Sequence, residues 1–125
     1  MDLTFRDEQG VAIIEITGKL DDVLGVRLGQ LLDRLLSEGH RHFVVDLKQV
    51  DGIDSAGLAV LVRGFNEVRR GAGAFYLVHL QPPVQSVLAL MRLDRVFESH
   101  TDVTEAVQCC IGRRGAAATT TLHVA

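Results

Sequence analysis

The sequence predicts a single α/β domain: a mixed, mostly parallel sheet opened by an N-terminal antiparallel hairpin, with helices mainly on one side. Strand-like apolar runs alternate with stretches of helical periodicity after the hairpin, and that order needs right-handed crossovers between parallel strands. Polar residues (Glu15, His42, Asp46 and His79) interrupt the strands, so one face of the sheet is less completely covered than in a doubly wound fold. A length of 125 residues, 47% of them hydrophobic, suits one core rather than two.

Each element has its own local reason. Leu3 to Arg6 and Val11 to Thr17 read as strands joined by Asp7-Glu8-Gln9-Gly10, a tetrad of turn residues suited to a hairpin. Gly18 is expected to break the second strand. Asp21 or Asp22 can cap the helix that follows, whose apolar stripe is Leu24, Leu28, Leu31, Leu32 and Leu35. Gly39 suits the left-handed position just past that helix. Phe43 to Leu47 is short and β-branched enough to be a buried strand. A second helix runs from Ser55 to about Arg70 on the stripe Leu58, Leu61, Val62, Phe65 and Val68, and Gly71-Ala72-Gly73 stops it. Phe75 to Leu80 is a fourth strand. Pro82-Pro83 opens a third helix where a missing N–H costs least, with Val84, Val87, Leu88 and Met91 as its stripe. Val96 to Ser99 is a last short strand, and Thr101-Asp102-Val103-Thr104-Glu105 has the form of a capping box before a final helix. The domain is expected to occupy residues 1–110, with 111–125, rich in Gly, Ala and Thr, as a flexible C-terminal tail.

Composition excludes several classes of function. The net charge of −3 and the absence of Trp argue against a basic, base-stacking nucleic-acid surface. Apolar runs are too short to insert in a bilayer, and Met1 to Arg6 lack the basic start and apolar core of a signal peptide. The cysteines, Cys109 and Cys110, are adjacent and cannot build a secreted-type disulfide framework. A cytoplasmic protein is expected.

The stretch Asp51-Gly52-Ile53-Asp54-Ser55-Ala56-Gly57-Leu58 is the candidate site. Ser55 falls where a strand-to-helix connection ends. Asp54-Ser55 can be simply a helix cap, because short side-chain oxygens accept orphaned backbone N–H groups. Equally, an exposed serine at a helix N-terminus lies at the sheet's carboxyl edge, where open α/β proteins place ligands, and the helix end tolerates an added phosphate. Competing chemistries lack parts. A hydrolase elbow needs glycines two residues either side of the serine, and position 53 is Ile53. A phosphoaspartate site at Asp46, near a strand end, would need further carboxylates for Mg²⁺; Asp21, Asp22, Asp51 and Asp54 read more simply as turn and cap residues. His40 and His42 share a face but have no companion ligand at suitable spacing, and Cys109-Cys110 read as partly buried small residues. No catalytic constellation, metal site or cofactor is expected.

Val44-Val45-Asp46-Leu47 followed by Ile53-Asp54-Ser55-Ala56-Gly57-Leu58 resembles the core signature of the STAS domain, in particular of bacterial anti-sigma factor antagonists. Ile16-Thr17-Gly18-Lys19-Leu20-Asp21 resembles the family's early glycine-x-leucine-aspartate turn. Pro82-Pro83-Val84 and Leu93-Asp94-Arg95-Val96-Phe97 resemble its later landmarks, in order. The resemblance runs from about Leu3 to about Val107. It implies a non-enzymatic regulator that binds an anti-sigma factor with serine kinase activity, is switched off by phosphorylation of Ser55, and is restored by a phosphatase. Asp21, Asp54, Ser55, Ala56 and Gly57 would form the partner-binding surface. Two departures stand out: Ala56 replaces a frequent second serine, and Arg92 stands where a glycine commonly precedes the leucine. The alternative is a non-phosphorylated STAS adaptor in a stress-signalling or lipid-transport assembly, in which Ser55 only caps a helix. A serine hydrolase is a distant third.

Overall fold

A computed structural model describes residues 2–115. The elements are β1 (Asp2–Glu8), β2 (Val11–Leu20), α1 (Asp22–Ser37), β3 (His42–Ile53), α2 (Ser55–Arg70), β4 (Phe75–Val78), α3 (Pro82–Leu90), a 3-10 turn (Leu93–Arg95), β5 (Glu98–His100) and α4 (Val103–Gly115). The five strands lie in chain order, β1-β2-β3-β4-β5; β1 and β2 are antiparallel and every later pair is parallel. The expected architecture is the observed one.

Strand alternation sends successive side chains to opposite faces. Ala12, Ile14 and Ile16, with Phe43, Val45, Leu47, Phe75 and Leu77, join the apolar stripes of α1, α2 and α3 in the larger core. Val11, Ile13, Val44, Tyr76 and Val78 face the other way and meet Ala106, Val107 and Cys110 of α4. Three helices therefore cover one face and a single helix the other. Glu15, His42 and Asp46 fall on this second face and each is bonded: Glu15 Oε1 accepts from Arg6 Nη1 at 3.0 Å, His42 Nδ1 from the Ala74 N–H at 3.1 Å, and Asp46 from the Lys48 N–H at 2.9 Å, while His79, past the end of β4, reaches back to Asp46. Burying a large aliphatic side chain contributes about 1.5–3 kcal/mol, so the larger face carries most of the stabilisation.

Several boundaries differ from expectation, each for a local reason. Gly18 does not end β2. It sits at φ +106° beside a register shift, a bulge that lets the strand continue to Leu20. β3 likewise continues from Leu47 to Ile53, because β2 keeps pairing with it as far as Leu20 opposite Ile53. β4 stops at Val78 because His79 takes a left-handed φ of +57°. β5 starts two residues late, at Glu98. Arg92 holds a left-handed φ of +59° at the turn after α3. Helix α4 runs on to Gly115; the rest of the expected tail lies outside the described residues.

Candidate functional site

Two parallel strands finish side by side, and a helix leaves each of them. Leu20 of β2 is in register with Ile53 of β3, and the next residues are Asp21 and Asp54. Both aspartates take extended backbone conformations and both are N-caps. Asp21 Oδ1 accepts from the Leu24 N–H at 3.1 Å, and Asp54 Oδ1 from the Gly57 N–H at 3.0 Å. The Asp54 N–H in turn donates to the Leu20 carbonyl at 3.2 Å, which stitches the two starts together. A Cβ on Gly57 would lie 2.2 Å from that same carbonyl oxygen, so only glycine lets α2 begin this close to β2. Gly25 of α1 packs on the Ala56–Gly57 backbone from the other side.

Ser55 is the first residue of α2. It is exposed, while Val50 and Ile53 just before it are buried and hold the connection to the core. The capping is done by Asp54, and the Ser55 hydroxyl makes no hydrogen bond among the described residues. Asp21 and Ala56 are half-buried beside it, Asp51 is exposed on the approach, and Gly57 is buried, shaping the rim from beneath. The five residues picked out as a partner surface thus share one rim.

A groove of about 570 Å³ runs from Ser55 along the outer side of α2. Leu58, Ala59 and Val62 give it an apolar floor, Arg63, Asn66 and Arg70 a polar flank, and Met91 and Leu93 its far wall. Met91, expected on the buried stripe of α3, is instead an exposed wall residue. Val62, expected on the buried stripe of α2, is only partly buried, and with Ser55, Ala59, Asn66 and Arg70 it marks the helical face that lines the groove. Arg63 spans from α2 to Asp33 of α1 at 3.1 Å, and this hydrogen bond raises the guanidinium pKa above its ordinary value.

The rival sites are dispersed. Asp46 is not near a strand end but inside β3, buried, with its Oδ1 3.0 Å from His79 Nδ1 as well as on the Lys48 N–H. A carboxylate so engaged is not placed as an open phosphoacceptor. His40 meets Asp7 at 3.8 Å, apart from the bond that occupies His42. His79 and His100 are bonded to carboxylates, and neither is hydrogen-bonded to Ser55. Among the described residues no helix is long and apolar enough to cross a membrane.

Comparison with known proteins agrees with this geometry. The family model described as "STAS domain" matches residues 2–106. A Thermotoga neapolitana protein named as a candidate anti-sigma factor antagonist is 31% identical over 83 residues, covering 66% of this chain and 74% of its own length. The anti-sigma-F factor antagonist RsfB of Mycobacterium tuberculosis is 24% identical over 112 residues, covering 90% of this chain and 91% of its own. The crystal structure of a candidate anti-sigma factor antagonist from Thermotoga maritima superposes with a TM-score of 0.82 at 25% identity, over 86% of this chain and 93% of that one. With its sheet order, its capped strand-to-helix rim and its sequence all in agreement, the chain belongs to the STAS-domain family.

Proposed function

We propose that the chain is an anti-sigma factor antagonist: it docks through the rim around Ser55 on an anti-sigma factor with serine kinase activity, and phosphorylation of Ser55 switches docking off until a phosphatase removes the group. The observation that carries the reading is the state of the Ser55 side chain. It is exposed at the start of a helix anchored by Val50, Ile53 and Gly57, and the capping that would otherwise explain a serine there is done by Asp54. The names borne by RsfB and the Thermotoga relative supply the partner class, an anti-sigma factor.

The chemistry follows from the helix end. A phosphate on Ser55 adds about −1.5 to −2 charges. The first-turn N–H groups and the helix dipole receive it, so the fold itself changes little. The partner fares differently. An interface already accommodating Asp54 and Asp21 must then desolvate a dianion beside them, which costs about 2.7 kcal/mol or more, a hundredfold in affinity. The non-phosphorylated adaptor reading loses ground because it takes Ser55 as the cap, and the hydrolase reading because among the described residues no histidine is hydrogen-bonded to Ser55.

Incubation with ATP and a kinase-type anti-sigma factor, followed by intact mass and peptide mapping, tests the proposal. One added phosphate is expected, on Ser55, and none in Ser55→Ala. Wild-type protein left unmodified by a kinase that phosphorylates its own antagonist would return the adaptor reading to the front.

A further inference from the structure

On the sheet face covered by α4, away from the Ser55 helix, three side chains of metal-binding type converge. Glu98 and His100 alternate along β5, so both point to the side where α4 brings Cys109, and one ligand atom of each lies within 4.8 Å of the other two. His100 is held at both ring nitrogens: Nε2 is 3.0 Å from Glu98 Oε2 and Nδ1 is 3.0 Å from Glu105 Oε1. With the Nδ1 proton donated to Glu105, loss of the Nε2 proton would leave that nitrogen's lone pair free for an ion held beside Glu98 and Cys109. A carboxylate behind the imidazole is the arrangement that fixes tautomer and ring direction in metal-bound histidines. Tyr76 supports the cluster from the sheet, its ring edge-on to His100 at 4.7 Å between centroids and its hydroxyl 3.3 Å from Cys109 Sγ.

We propose that Glu98, His100 and Cys109 bind a zinc ion, with a fourth position open to water or to a ligand from a partner. Tetrahedral zinc with bonds of about 2.0–2.3 Å keeps its ligand atoms roughly 3.3–3.8 Å apart. The separations from Glu98 Oε2, 3.0 Å to His100 Nε2 and 3.8 Å to Cys109 Sγ, bracket that spacing. A thiolate and an imidazole select zinc over Mg²⁺ or Ca²⁺, which prefer all-oxygen shells. Binding releases the Cys109 thiol proton to solvent, and thiolate, carboxylate and neutral imidazole together balance the dication. Tyr76, whose hydroxyl now accepts from the thiol, would turn its proton toward the thiolate. The ion would pin α4 to the sheet's β5 edge. This departs from the sequence reading, which expects no metal: two ligands come from a strand and one from a helix nine residues on, and their spacing matches no compact motif.

The test uses the full chain, reduced and stripped of metal by a chelator. Cobalt(II) titrated into it should give a cobalt–thiolate charge-transfer band that saturates at one equivalent, and zinc should displace it. Cys109→Ser should abolish the band, while Cys110→Ala keeps it. His100→Gln and Glu98→Gln should each weaken zinc binding, read by calorimetry, by about tenfold or more, and Glu105→Gln by at least about tenfold through the histidine it orients. Glu98 is exposed, so its variant keeps the fold even if a core-facing one does not. Absence of the band in the wild type, or a band that survives Cys109→Ser, overturns the site.

Discussion

The starts of α1 and α2 share an aspartate cap of the same geometry, and the difference that bears on charge falls at the residue after the cap. Asp21 and Asp54 have φ of −109° and −110°, occupy adjacent strand ends and accept N–H bonds of 3.1 and 3.0 Å. After Asp21 comes Asp22, a carboxylate already in the first turn; after Asp54 comes Ser55, and the first turn of α2 has no acidic side chain. The positive end of α1 is therefore already complemented, whereas that of α2 can take an added anion. Similar caps over different first residues leave one helix start already charged and its neighbour open to the added phosphate that the proposed function requires.

The comparison breaks most severely at the glycines. Gly57→Ala drives a Cβ into the Leu20 carbonyl and should cost about 3 kcal/mol in a urea titration. Gly25→Ala meets its nearest atoms at 3.5 Å and should be neutral or stabilising by up to about 1 kcal/mol. Equal losses would mean the two starts are packed alike after all. Next comes charge at Ser55. Ser55→Ala should hold the anti-sigma partner as tightly as wild type, Ser55→Asp more weakly, and the phosphorylated protein at least about a hundredfold more weakly by calorimetry. Unchanged affinity across all three would remove charge from the mechanism. The caps sharpen the likeness: Asp21→Ala and Asp54→Ala should each lose about 1 kcal/mol and agree within about 0.5 kcal/mol. The smallest effect lies elsewhere. Arg92→Gly removes a left-handed arginine at the turn after α3 and should gain about 0.5–1 kcal/mol, a few degrees in Tm.

Much of the fold was legible because it is written in short-range chemistry. The stripe of α1, the left-handed Gly39 at φ +97° and the prolines opening α3 each have a local cause and lie where that cause puts them. Errors gathered where pairing overrules local preference. Lys48 to Gly52 look like a turn, yet they stay in β3 because β2 supplies partners on one side. Ala72 takes φ +60° between two glycines that could have taken it more cheaply. For the site, the order Asp-Ser-Ala-Gly told where a helix would begin, but not which residue would cap it.

Short-range chemistry alone thus gives the order of the elements, the two helix starts and the serine beside one of them, since periodicity and capping act over a few residues. It takes the assembled sheet to set Leu20 and Ile53 in register, to stand Asp21 in the same rim as Ser55, and to bring Glu98, His100 and Cys109 together from β5 and α4. Those juxtapositions depend on sheet register and on the side from which a helix returns, and both are settled by burying the whole core at once rather than by any stretch of chain.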